Sequence, residues 1–242
     1  MSGSDSGVVY GRNPVREALR GRRRVRALWA TPSAAREDWL AAAGPHMAEA
    51  AQIEERCGSR DHQGVCAEAD PYLYAPPASL LEAPDALVVC LDQVQDPQNL
   101  GAVCRVAECA GAAGVVIAER RAAAVTPAVC KASAGAVEHL PVARVRNVAD
   151  YLEQAKAAGA WIYGAATVPE AVPWHRPDYA GRVVLVLGGE GSGLRPRVAA
   201  TCDALVALPQ RGRIESLNVS AAAAALVYGI LQRREGQVDS AR

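Results

Sequence analysis

Residues 86–118 read ALVVCLDQVQDPQNLGAVCRVAECAGAAGVVIA, and their pattern decides the fold. Ala86 to Leu91 is a continuous apolar run, as expected of a parallel strand buried on both faces. Asp96-Pro97 then starts a helix predicted to reach about Ala110, because proline suits the first helical turn. Leu100, Val103, Cys104 and Ala107 recur at helical spacing and make its apolar face. Gly114 to Ala118 reads as a second strand. The same alternation continues, with strands expected near His139–Ala143, Trp161–Ala165, Val183–Leu187 and Ala204–Leu208. Helices fill the gaps, the last predicted from about Asn218 to Arg234. Such alternation predicts an α/β fold with a mostly parallel sheet and helices on both faces.

Ahead of this core, residues 7–71 are expected to form a small α/β domain. Asn13-Pro14 reads as a helix start, Val25 to Ala30 as a strand, and Gly64 to Ala67 as an edge strand. Helices are expected from about Ala34 to Ala43 and from Met47 to Arg56. Proline and small residues then mark 72–84 as a flexible linker, leaving 85–235 as the main domain.

The chain has 242 residues, half of them hydrophobic, and 26 basic against 26 acidic side chains. A neutral chain binds nucleic acid only by segregating its charges. One segregated run exists. Residues 12–26 carry Arg12, Arg16, Arg20, Arg22, Arg23, Arg24 and Arg26 against Glu17 alone. Arg12, Arg16, Arg22, Arg23 and Arg24 are the candidate phosphate contacts, the alternative being a solvated charge run. With no Phe and few other aromatics, base stacking is not expected to dominate recognition. The first residues lack the basic-then-apolar pattern of a signal peptide, and the longest apolar stretch is too short to span a bilayer. A cytoplasmic protein without membrane contact is the expectation. Seven cysteines with no CxxC pair, and four scattered histidines, predict reduced thiols and no metal.

Three segments follow strands, where open α/β sheets bind ligands. The first is DQVQDPQNLGAVCR at 92–105, with Asn99, Gly101 and Arg105 near a helix start. The second is LGGEGSGL at 187–194, whose glycines allow sharp turns and close approach to a ligand. Its spacing is not GxGxxG, which excludes a dinucleotide fingerprint and a nucleotide-dependent oxidoreductase. The third is LPQRGRIESLNVS at 208–220, between a strand and a small apolar helix. Singly, these read equally well as a capped surface helix, a flexible turn and a helix cap. The last helix is apolar on nearly every side, so it is either buried or covered by a second subunit.

Their combination and order are specific. NxGxxxR at 99–105, GGEGSGL at 188–194 and PxxGxxxSLNVS at 209–220 resemble the three motifs of the SpoU (TrmH-like) RNA ribose 2′-O-methyltransferases, within the SPOUT class. VYGRNPVREAL and HQGV look like the small RNA-binding domain of bacterial ribosomal members. The resemblance implies a C-terminal trefoil knot, S-adenosylmethionine as cofactor, and a homodimer with active sites at the subunit interface. It implies Gly188, Gly189, Leu208, Leu217 and Asn218 as cofactor-binding residues. It implies Arg105 as the central catalytic residue, acting with Asn99, Glu190, Ser216 and Asn218. The implied substrate is rRNA, with a 23S guanosine foremost. The alternatives are a tRNA or resistance-type enzyme, or a non-catalytic RNA-binding assembly factor.

Overall fold

The computed structural model describes residues 7–189, 191, 193–214 and 216–240, with side chains as far as Gly236. The chain builds two sheets. The first is a small four-stranded sheet in the order β1-β4-β2-β3, formed by β1 (Val8–Tyr10), β2 (Val25–Ala30), β3 (His46–Met47) and β4 (Val65–Ala69). Against it pack α1 (Arg12–Arg20) and α3 (Ala50–Cys57), while α2 (Asp38–Ala42) packs on the 34–36 turn. Three local expectations are corrected here. The 65–69 strand is internal, paired with β1 on one side and β2 on the other. Its burial explains this, since Val65, Cys66, Ala67 and Ala69 are all buried. The helix expected at Asn13 begins at Arg12 behind Gly11, with no side-chain cap. Met47 lies in a short strand, and the helix after it starts at Ala50, where Glu49 and Gln52 form a capping box.

The second sheet has seven parallel strands in the order β7-β6-β5-β10-β8-β11-β9. Its strands are β5 (Leu87–Asp92), β6 (Gly114–Ala118), β7 (Val142–Val145), β8 (Trp161–Ala165), β9 (Val172–Pro173), β10 (Val183–Gly188) and β11 (Ala204–Ala207). Around it lie α4 (Pro97–Cys109), α5 (Pro127–Ala132), α6 (Val148–Ala157), α7 (Pro196–Thr201) and α8 (Val219–Ser240). β5 shows why its sequence had to be continuously apolar. Leu87, Val89 and Leu91 join the core beneath α4 and α8, while Val88 and Cys90 join the core beneath α6 and α7. Both faces are dry, so every position from Leu87 to Leu91 is apolar.

α4 behaves as its period predicts: Leu100, Val103, Cys104 and Ala107 are fully buried. Asp96 caps it through the backbone N–H of Gln98. Gly101 permits its close approach to α5, since a Cβ there would lie 2.4 Å from the Cβ of Ala132. α8 buries Val219, Ala223, Leu226, Val227 and Ile230, yet leaves Ala221, Ala225 and Tyr228 exposed along one stripe.

The stretch 72–84 is packed, contrary to the flexibility its composition suggests. The Tyr72 hydroxyl donates to the carbonyl of Val137 at 3.2 Å, and the Tyr74 hydroxyl accepts from Val125 N–H at 2.9 Å. Ala75 N–H donates to Val142 at 2.8 Å, and Leu80 and Leu81 are buried. Two tyrosines and two leucines supply apolar area whose burial is worth roughly 25 cal/mol per Å². That gain overrides the local preference of proline-rich chain. All seven cysteines are free thiols. Burial pushes Cys104 and Cys130 up to about 12, so neither is a reactive thiolate.

Candidate active site

A cavity of about 670 Å³ opens at the carboxyl ends of β8, β10 and β11. Ala165–Val168 form one wall, Leu187–Gly189 with Gly191, Gly193 and Leu194 a second, and Leu208 with Ser216–Val219 a third. Among the described lining residues no side chain is charged. The polar groups are few: Thr167, Gln210, Ser216, Asn218 and the backbone of the glycine loop. A mainly apolar cavity of this size with a handful of polar groups suits a drug-sized ligand.

The glycine loop reverses tightly. Gly193 N–H donates to the carbonyl of Gly189 at 3.1 Å. A Cβ on Gly188 would lie 2.2 Å from the carbonyl carbon of Gly193, so only glycine allows this closure. The exit of the loop is fixed by a residue that the sequence reading did not single out. Asp92, fully buried at the end of β5, accepts from Arg195 N–H at 3.0 Å and from its Nε at 2.8 Å. The second guanidinium nitrogen lies 2.7 Å from the same carboxylate. Two guanidinium nitrogens thus share Oδ1 while the backbone N–H takes Oδ2, and such a partly buried pair is strong because both groups are charged. The only sequence signal was an aspartate ending an apolar strand. Asp92→Asn is expected to weaken binding of the cofactor that the sequence resemblance implies by roughly tenfold, the effect of losing 1–2 kcal/mol of charge-assisted hydrogen bonding. Calorimetric titration with S-adenosylmethionine checks this, and unchanged affinity with an unchanged melting temperature would count against the role.

Asn218 ties the third wall to α4. Its Oδ1 accepts from Ser220 N–H at 2.8 Å, capping α8. Its Nδ2 donates to Oδ1 of Asn99 at 2.9 Å. One amide therefore caps a helix and bridges to a buried amide on α4, which is 7% exposed.

The structure thus gathers Gly188, Gly189, Leu208, Ser216, Leu217 and Asn218 around one cavity, with Asn99 joined through Asn218. Arg105 is not among them. It is exposed on α4 and outside the cavity wall of its own chain. Glu190 lies outside the described residues.

The expected phosphate-binding arginines divide sharply. Arg23 is not available to RNA, because its side chain is 8% exposed and paired with the fully buried Glu138. Arg12 pairs with Glu37, and Arg16 with Glu17. Arg22 and Arg24 are exposed, with no partner among the described residues. The run was charged in sequence, but folding brought carboxylates from distant positions to meet it.

Comparison with known proteins locates these features in a wider group. Residues 86–228 match the sequence model of the SpoU rRNA Methylase family, and residues 8–75 match that of RNA 2′-O ribose methyltransferase substrate binding. A 23S rRNA (guanosine-2′-O-)-methyltransferase from Xanthomonas campestris is 45% identical over 184 residues, covering 74% of each chain. A putative TrmH family tRNA/rRNA methyltransferase from Bacillus subtilis is 35% identical over 244 residues, covering 93% of this chain and 95% of that one. The crystal structure of the SpoU methyltransferase AviRb from Streptomyces viridochromogenes, in complex with AdoMet, superposes with a TM-score of 0.80 at 26% identity. The match covers 94% of this chain and 89% of that one.

Proposed function

The chain belongs to the SpoU rRNA methylase family and is an S-adenosylmethionine-dependent RNA 2′-O-methyltransferase; we propose that it methylates a guanosine ribose of 23S rRNA. The observation that carries this reading is the mainly apolar, glycine-walled cavity into which Gly188, Leu208, Leu217 and Asn218 converge. Its volume and apolar walls fit the cofactor, and its exposed backbone groups suit an adenine held by hydrogen bonds. Gly188, Gly189, Leu208, Leu217 and Asn218 are the residues that would hold it. When bound, S-adenosylmethionine supplies an electrophilic methyl group on a sulfonium.

The protein must align the ribose 2′-oxygen with that methyl and help the hydroxyl lose its proton. Orientation of this kind is worth roughly 7–11 kcal/mol in favourable cases. The Asn99–Asn218 pair and the Ser216 segment hold the wall against which the ribose is placed. Arg105 is a poor general base, because a guanidinium cation carries only donors and has no lone pair free to accept a proton. As a cation it clamps a phosphate and offsets the negative charge that develops on the attacking oxygen. Glu190 is the group proposed to orient it. Because Arg105 stands outside its own chain's cavity, a homodimer is proposed, in which Arg105 of one copy serves the cavity of the other. The exposed stripe of Ala221, Ala225 and Tyr228 on α8 supports such a contact.

The C-terminal segment is proposed to be threaded as a trefoil knot. The insertion of β10 between β5 and β8, with α8 returning onto α4, is consistent with that path. Residues 7–71 are proposed as the RNA-binding domain, 72–84 as its connection and 85–235 as the catalytic domain of a cytoplasmic enzyme. Among the described residues, no helix is long and apolar enough to cross a membrane.

The Xanthomonas relative supports a large-subunit target, and the match at residues 8–75 supports an RNA substrate. The Bacillus relative, named for tRNA or rRNA, keeps tRNA as the second reading. The test is transfer of label from S-adenosylmethionine to 23S rRNA lacking the modification, with tRNA in parallel and nuclease digestion to locate the product. Label on a 23S guanosine ribose is expected. Label in tRNA alone selects the second reading. Tight RNA binding with no transfer to either RNA overturns the catalytic reading in favour of an assembly factor.

A further inference from the structure

The sequence directs attention to the basic run of residues 12–26, yet most of that run is neutralised by its own fold. Arg12, Arg16, Arg20, Arg23 and Arg26 pair with four carboxylates, Arg16 and Arg20 sharing Glu17. A second set of arginines escapes this fate. Arg120 and Arg121 follow β6, while Arg144 and Arg146 lie at the end of β7. All four are exposed.

Backbone pairing brings the two segments together. Ile117 stands opposite Arg144, Ala118 opposite Val145, and Glu119 N–H donates to the carbonyl of Val145 at 2.9 Å. Arg144 is anchored, with its guanidinium 4.9 Å from the centre of the Tyr74 ring and one nitrogen 3.3 Å from the carbonyl of Glu119. Among the described residues, Arg120, Arg121 and Arg146 have no charged or hydrogen-bonded partner. The nearby carboxylates of Asp92, Asp150 and Glu153 are already engaged by Arg195 and Arg197. Glu119 is the one acidic residue on the two segments.

Position gives this cluster its meaning. In a parallel sheet all carboxyl ends share one edge. β6 and β7 are two and three strands from β10, so the arginines lie roughly 10–15 Å along that edge from the glycine loop. We propose that Arg120, Arg121, Arg144 and Arg146 form the surface of the catalytic domain that holds the phosphate backbone of the substrate RNA flanking the methylated nucleotide. A ribose presented to the cavity extends its neighbouring nucleotides over this edge. Arginine forks match phosphate oxygens, and contacts of this kind set register without reading bases. Among the described residues from 74 to 160 no large hydrophobic side chain is exposed, and Leu73, the chain neighbour of Tyr74, is the exposed apolar residue next to the patch.

This surface rests on the RNA-methyltransferase reading, and the test separates the two. The variant R120Q/R121Q/R146Q is compared with wild type for RNA binding and for KM over a range of salt concentrations. S-adenosylmethionine affinity and melting temperature are measured alongside. The slope of log affinity against log salt is expected to become shallower by about 2–3, one unit or slightly less per lost phosphate contact. KM for RNA rises, while cofactor affinity and melting temperature stay at wild-type values. If wild type methylates RNA and the variant keeps both its slope and its KM, this surface is wrong and the activity stands. If wild type neither binds nor methylates RNA, the functional reading falls and takes the surface with it.

Discussion

Arg105→Ala is expected to lower methyl transfer to RNA by on the order of 10²–10³, the loss typical of removing one donor that stabilises developing charge on oxygen. Cofactor affinity should not change, because Arg105 does not line the cavity of its own chain. Stability should change little, since the side chain is exposed on α4 and has no partner among the described residues. Arg105→Lys distinguishes two roles. A lysine restores charge without the planar fork, so partial recovery assigns the residue to charge and no recovery assigns it to bidentate phosphate clamping. A mixing experiment then tests the proposed exchange between subunits. Arg105→Ala and Gly188→Val are each expected to be inactive, the second because a side chain at 188 collides with Gly193. Co-expressed, they form mixed dimers with one intact composite site, and measurable activity should return. Two inactive variants that stay inactive in verified mixed dimers would place Arg105 in the site of its own chain.

The largest loss of stability is expected from Arg23→Ala. Arg23 bonds Glu138 through two nitrogens, one of them at 2.9 Å, and its ring partner Tyr72 lies at 5.6 Å. Burial works against the charge of Arg23, but the hydrogen bond and charge of Glu138 outweigh it and raise its pKa. Truncation leaves Glu138, whose side chain is 0% exposed, as an uncompensated buried carboxylate. Breaking such a pair costs roughly 3–5 kcal/mol, whereas replacing both members with apolar residues is often near neutral. Urea unfolding should therefore show a large fall for Arg23→Ala and a much smaller one for Arg23→Met combined with Glu138→Leu. A fall below about 1 kcal/mol for the single change would mean that water reaches the site and the pair behaves as an exposed one. The pair also joins the segment between α1 and β2 to the 136–138 turn. Its loss is expected to raise KM for RNA while leaving cofactor binding intact.

These two arginines show what was and was not legible in the sequence. Both lie in segments singled out as functional, but the burial of only one of them was legible. Arg105 sits on a helix whose apolar face was explicit at Leu100, Val103, Cys104 and Ala107. Its exposure followed from period alone. Arg23 sits in a charged run with no such period, and its fate depended on Glu138, 115 positions away. Asp92 is a similar case, because its partner Arg195 arrives only when β5 and β10 become neighbours.

The sequence by itself determined the alternation of buried strands and helices, the order of the three motifs, and the glycines at which the chain must turn. These are local matters, governed by the burial of side chains one, two or four positions apart. Tertiary structure alone decided which charges are neutralised and which face solvent. It also decided that the 65–69 strand is internal and that the proline-rich stretch is packed rather than free. Each of those outcomes depends on a partner far away in the chain, and the strength of a charge or an apolar surface is set by the burial that the whole fold imposes.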